Sequence, residues 1–183
     1  EPDIGLSVFF GYILRPEVLG LFPRGCLNLH PAYLPYNRGE YPNVWSIIER
    51  TPAGATLHHM DEGIDTGDIV ARREVAVLPT DNGQTLYSRL EDACITLFEE
   101  AWPHVRAGTA ARTPQPGGGG TSHRAADVDK VDRIELDRSY TARSLIDIMR
   151  ARTFPPYPGA YFMDGGRRVY LRLTLLPELD NLA

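Results

Sequence analysis

The stretch TLYSRLEDACITLFEEAWPHVRAG, residues 85–108, carries Leu86, Leu90, Ala93, Leu97, Phe98 and Trp102 at helical spacing. That spacing gathers them on one face of a long helix ending at Gly108. Around this helix lie short apolar runs of strand type at 4–10, 25–29, 54–60 and 69–77, the second of them expected to be parallel to its neighbour. Shorter helices are expected at 15–21, 42–50 and 142–150. Strands and helices interleaved in this way predict an α/β fold.

The chain has 183 residues, 43% of them hydrophobic, which suffices for one core with a small appended subdomain. The break is expected at TPQPGGGGTSH, residues 113–123, whose composition is that of a flexible linker. It divides a unit at 1–112 from a linker and C-terminal subdomain at 113–183. In the latter, GAYFMDGGRRVYLRL has two alternating runs around Asp164-Gly165-Gly166, a hairpin signal. The net charge of -5 gives no broad basic surface for nucleic acid. No apolar run approaches the roughly 20 residues of a membrane span. Cys26 and Cys94 lack metal spacing and read as buried thiols of a reducing, cytoplasmic setting. The abrupt strand–helix start at Glu1 leads us to expect further strands upstream.

His58 and His59 precede an acidic stretch with Asp61, Glu62, Asp65 and Asp68. This fits a metal site or a solvated turn punctuated by Gly63 and Gly67. Adjacent strand residues point to opposite faces, which argues against the metal. His104 and His123 read as surface residues. Asn28 and His30 lie two apart at the end of a strand, so both side chains share one face. Ligands of open parallel sheets bind beyond such strand ends. An Asn amide there can donate to a developing oxyanion, and an imidazole can donate to it or take a proton. Asp65 can orient or charge-stabilise that ring. A capping Asn and a structural His satisfy the same spacing.

The run GYILRPEVLGLFPRGCLNLHPAYLPYNRGEYPNVWSII, with TPAGATLHHMDEGIDTGDIVARREVAV after it, resembles the superfamily of formyltransferases that use 10-formyltetrahydrofolate. The elements N-x-H-P-x-x-L-P, R-G and G-x-T-x-H-x-M-D-x-G-x-D-x-G fall in order over about residues 2–108. Within the superfamily the chain looks most like the sugar N-formyltransferases, and ARTFPPYPGAYF, at 151–162, resembles a segment that follows their linker.

The resemblance implies a Rossmann-like core, with Glu1 at what would be its fourth strand, and a small C-terminal subdomain containing the hairpin. It implies Asn28, His30 and Asp65 as catalytic residues and no metal. It implies a folate site at Tyr12, Ile13 and Leu14 with the loop Asp61, Glu62, Gly63, Ile64 and Gly67. Tyr33, Asn37 and Arg38 are expected on the acceptor side, with Thr56 and His58 supporting Asp65 and the folate loop. The implied reaction moves a formyl group from 10-formyltetrahydrofolate to a nucleotide-linked amino sugar, such as a dTDP-4-amino-4,6-dideoxyhexose, in a homodimer. The rival readings are a formyltransferase acting on tRNA-bound methionine, glycinamide ribonucleotide or a natural-product amine, and a truncated relative that binds without turnover.

Overall fold

A computed structural model describes residues 2–116 and 118–178. The first strand β1 (Gly5–Val8) leads through a loop into the short α1 (Pro16–Leu19) and then β2 (Cys26–His30). A Pro-rich loop and the two-residue β3 (Arg38–Gly39) precede α2 (Pro42–Ile48). Then come β4 (Ala53–His59), β5 (Ile69–Val75) and the long α3 (Gly83–Ala107). Beyond lie β6 (Ser122–His123), a 3-10 turn at Ala125–Val128, α4 (Asp129–Asp132), α5 (Ala142–Ala151) and the hairpin strands β7 (Tyr161–Asp164) and β8 (Arg167–Tyr170).

The main sheet has the order β1-β2-β4-β5. β1 and β2 run parallel, as the sequence leads one to expect, and the β2–β4 and β4–β5 pairs are antiparallel. β4 is buried along nearly its whole length, which explains its run of small and apolar residues. Leu27 and Leu29 of β2 join Ala55 and Leu57 of β4 beneath Ala93, Cys94, Leu97 and Ala101 of α3. Alternation then sends Asn28 and His30 to the other face of the sheet. The register sets Asn28 opposite His58 and His30 opposite Thr56.

α3 is closed at both ends by local chemistry. Asn82 accepts from the Gln84 and Thr85 amides, both at 2.9 Å, and the Thr85 hydroxyl accepts from the Asn82 amide at 3.0 Å. At the other end Gly108 takes the left-handed conformation, with φ +72.

A second apolar cluster joins Val44, Trp45 and Ile47 of α2 to Leu86 and Leu90 of α3, with Val128 and Ala151 from the C-terminal third. The C-terminal third therefore shares a core with the rest. Its α5 is also held by a buried polar contact. Asp147 accepts from Arg50 and from Arg150, and Arg150 reaches the carbonyls of Leu78 and Asp81.

Residues 113–116 and 118–123 do not form the flexible linker their composition suggested. Thr113 and Ile69 exchange backbone hydrogen bonds of 2.8 and 2.9 Å, and β6 pairs in parallel with β3. His123, read from sequence as a surface residue, stacks on Trp45 with ring centroids 4.0 Å apart. Backbone pairing and this stack outweigh the entropy favoured by a Gly-Pro-rich composition.

Leu57 is fully buried between β2, β5 and α3. Leu57→Ala is expected to lower the unfolding free energy by about 3 kcal/mol in a urea titration, through lost burial and the cavity left behind.

Candidate active site

Where β2 ends, the strand, the loop after β4 and the loop before α2 meet. Asp65 sits at the junction with φ +54, a left-handed backbone uncommon for a non-glycine residue. Its Oδ2 accepts from the Gly39 amide at 2.8 Å and lies 3.5 Å from His30 Nε2. Its Oδ1 accepts from Asn28 Nδ2 at 3.2 Å and lies 3.4 Å from His58 Nε2. The structure thus brings Asn28, His30 and Asp65 together and adds His58, a fourth member from the register partner of Asn28.

The geometry assigns the protons. His30 Nε2 faces two acceptors, the Asn37 carbonyl at 3.1 Å and Asp65, so it carries a hydrogen. In the neutral ring Nδ1 is then the lone-pair nitrogen, and it has no hydrogen-bond partner among the described residues. His58 Nδ1 donates to the His59 carbonyl at 2.8 Å, so in its neutral form Nε2 accepts from Asn28 Nδ2 at 3.2 Å. Both Asn28 amide hydrogens are then engaged, one on His58 and one on Asp65. A protonated His58 instead donates to Asp65 Oδ1.

Burial lowers the pKa of His30, with His58 acting the same way. The charges of Asp65 and Glu40 and the bond to Asn37 oppose them without reversing the shift. The ring is therefore neutral at neutral pH. Burial works against the Asp65 charge, but the bond from a protonated His58, the charge of His30 and the Gly39 amide outweigh it and hold the carboxyl at about 2. With His30 neutral, the dipoles of the Gly39 amide and the Asn28 side chain face the carboxylate directly.

A cavity of about 680 Å³ opens over this cluster, with Asn28 and His30 in its lining. One wall is Phe9, Phe10 and Gly11. The other brings Tyr87 of α3 together with Phe154 and Tyr157, whose rings meet edge-on in a row. Arg152 borders it too, with its guanidinium paired to Asp132. Sequence reasoning missed these residues. Gly11 and the segment 151–162 lie within stretches that carry the family resemblance, but those stretches are far apart in the chain, and only tertiary packing joins them at this cavity.

The residues expected to line a folate site are not in the lining of this cavity. Tyr12 and Ile13 are 77% and 79% exposed, and Leu14 is half-buried, just beyond the Phe9–Gly11 wall. Glu62, Gly63 and Ile64 are exposed. Asp61 folds its own loop by accepting from the Gly63 amide at 2.9 Å and the Thr66 hydroxyl at 2.6 Å. Gly67 is buried, and a Cβ there would stand 2.0 Å from the His59 carbonyl oxygen.

None of the three residues expected on the acceptor side is in the lining of this cavity. Asn37 is fully buried, and its amide nitrogen is spent on the Ser46 and Thr51 hydroxyls, both at 2.8 Å. Arg38 forks onto Gln115 Oε1, and Tyr33 lies beneath the Arg72 guanidinium, 4.6 Å from its ring centroid. Their side chains are spent on this packing, and the loop meets the site through the Asn37 carbonyl on His30 and the Gly39 amide on Asp65. Thr56 holds the Ala32 carbonyl and the Leu34 amide, supporting this Pro-rich loop rather than Asp65. Among the described residues no group of three or more His, Cys, Asp or Glu side chains is placed to hold a metal ion, and no helix is long and apolar enough to cross a membrane.

The Asp65 carboxyl is held below its unfolded value of 3.8, so the stability it contributes is present above that pH and is lost as pH falls through 3.8 to about 2. His30, also depressed by burial, pushes in the same direction below pH 6.5. Denaturant titrations of wild type and Asp65→Asn are expected to show the wild-type advantage shrinking by about 2 kcal/mol between pH 5 and pH 2.

Residues 1–101 match the family model Formyl transferase, and residues 127–177 match N-formyltransferase dimerization C-terminal domain. A dTDP-4-amino-4,6-dideoxyglucose formyltransferase of Mycobacterium bovis is 34% identical over 154 residues, covering 84% of this chain and 65% of the relative. A methionyl-tRNA formyltransferase of Syntrophus aciditrophicus is 36% identical over 90% of this chain and 52% of its own length. The chain thus spans less than two thirds of these curated relatives. A 4-N formyltransferase from Francisella tularensis superposes with a TM-score of 0.89 at 35% identity, over 96% of this chain and 72% of that one. A formyltransferase from Anoxybacillus kamchatkensis, solved with UDP-4,6-dideoxy-4-formamido-L-AltNAc and tetrahydrofolate, is 41% identical with a TM-score of 0.66, over 70% of this chain and 67% of that one. With a family model covering more than half of its length, the chain belongs to the formyl transferase family.

Proposed function

We propose that this protein transfers a formyl group from 10-formyltetrahydrofolate to the amine of a nucleotide-linked amino sugar. The observation that carries the reading is His30: a buried neutral ring lining the cavity, with Nε2–H committed to Asn37 and Asp65 and Nδ1 left as a base. The folate supplies an activated formyl carbonyl, and the mostly apolar wall of Phe9 and Phe10 suits a flat heterocycle.

The other steps belong to this chain. As the acceptor amine bonds to the formyl carbon, His30 Nδ1 takes the proton the nitrogen must shed, and Asp65 stabilises the imidazolium. The same proton is available to the departing nitrogen, so the ring ends neutral and the reaction balances. The developing oxyanion competes with Asp65 Oδ1 for an Asn28 hydrogen.

The acceptor class is supported by the aromatic row of Tyr87, Phe154 and Tyr157 in the cavity lining, to which a nucleobase can pack, and by relatives whose names specify dTDP- and UDP-linked sugars. A tRNA acceptor, the activity named for the Syntrophus aciditrophicus relative, is opposed by the net charge of -5.

Incubation with 10-formyltetrahydrofolate and a panel of amino-sugar nucleotides, read by mass spectrometry, tests the reaction. Asn28→Ala, His30→Ala and Asp65→Ala are each expected to cut turnover at least about a hundredfold, His30→Ala most. Near-normal turnover of His30→Ala would overturn the mechanism.

We also infer a homodimer joined near the β7–β8 hairpin. Val169 and Tyr170 are 39% and 48% exposed there, a two-stranded hairpin is marginal alone, and the segment matches a dimerization domain. Light scattering is expected to give twice the chain mass, and Val169→Asp to shift it to monomer.

A further inference from the structure

Gln115 lies in the Gly-Pro-rich segment that the sequence presents as a spacer, yet every hydrogen-bonding atom of its amide is engaged. Its Nε2 donates to the Asp65 and Gly67 carbonyls, both at 2.8 Å. Its Oε1 accepts both limbs of the Arg38 fork, Nε at 3.2 Å and Nη2 at 2.6 Å. The amide therefore ties the left-handed backbone of Asp65 to β3, the element whose Gly39 amide holds the Asp65 carboxylate. Around it the same segment secures the loop before β3. The Thr121 hydroxyl accepts from the Asn37 amide at 2.8 Å and donates to Asn37 Oδ1 at 3.1 Å, and the Arg38 amide donates to the Thr121 carbonyl at 3.0 Å.

Only a primary amide of this length meets all four demands. It offers two hydrogens to two carbonyls on one side and an oxygen to a guanidinium on the other. A left-handed non-glycine residue such as Asp65 persists only where its surroundings over-determine it. We propose that Gln115 is a positioning residue that holds Asp65 in register with His30, making the interdomain segment part of the active site. Without the clamp Asp65 relaxes away from His30 Nε2, and the imidazole loses the charge that favours its protonation.

The kinetic side of this inference rests on the formyl-transfer reading, but the structural side does not. The direct readout is a pH titration of the His30 ring by 15N-edited NMR, in wild type, Gln115→Met and Gln115→Asn. The first variant keeps the length without the amide, and the second keeps the amide one methylene too short. His30 is faced by Asp65 from the loop after β4, by His58 of β4 and by Glu40 beyond β3, and neither substitution adds or removes a charge. Withdrawal of Asp65 from 3.5 Å to roughly twice that distance is expected to lower the His30 midpoint by about one pH unit and to weaken its Nε2–H tautomer preference. With a competent acceptor, kcat is expected to fall about tenfold with little change in KM for the amine.

A His30 midpoint and tautomer unchanged in whichever variants fold, even with a lowered Tm, would overturn the proposal and leave Gln115 as a structural tie. A shifted midpoint in a protein that transfers no formyl group would support the clamp and refute the reaction instead.

Discussion

One largely enclosed carboxylate organises the functional half of this molecule. Asp65 takes the Gly39 amide on one oxygen and Asn28 on the other, with His30 and His58 flanking it at 3.5 and 3.4 Å. A negative charge in such a place is tolerated only because dipoles and potential cations converge on it. Those groups come from three elements: Asn28 and His30 from β2, Gly39 from β3 and His58 from β4. Satisfying the charge therefore obliges three chain segments to meet at one point, and the cavity lies over that point.

The sheet makes this meeting possible. Leu27 and Leu29 pull one face of β2 onto α3, so Asn28 and His30 must face the other way. The antiparallel register with β4 then delivers His58 beside Asn28. The packing energy resides in the apolar layer, while the polar layer inherits its geometry. The strained backbone is concentrated in the polar layer, where Asn37, Tyr41 and Asp65 all have positive φ.

The segment between α3 and α4 has the opposite character to its composition. Gly, Pro and Thr residues favour a mobile tether, but Thr113, Gln115 and Thr121 convert it into a strap across two site loops. The C-terminal third reaches the cavity through Arg152, Phe154 and Tyr157 and shares a core with α2 and α3. The proposed catalytic groups and acceptor wall thus sit in one polar and aromatic frame although they are distant in sequence.

The linear order of residues determined a good deal by itself. Period-two alternation put Asn28 and His30 on one face, helical spacing defined α3, and Asp-Gly-Gly announced the β7–β8 turn, because each is a local consequence of backbone geometry. Motif order was enough to pair Asn28 and His30 with Asp65. Only the tertiary structure decided which atoms of those residues are free. The register that makes His58 a partner of Asn28, the burial that keeps His30 neutral, and the packing that consumes the Asn37 and Arg38 side chains are all long-range. So is the contact that gives Gln115 its work: fifty residues separate it from Asp65, and no local pattern in the chain encodes a hydrogen bond across that distance.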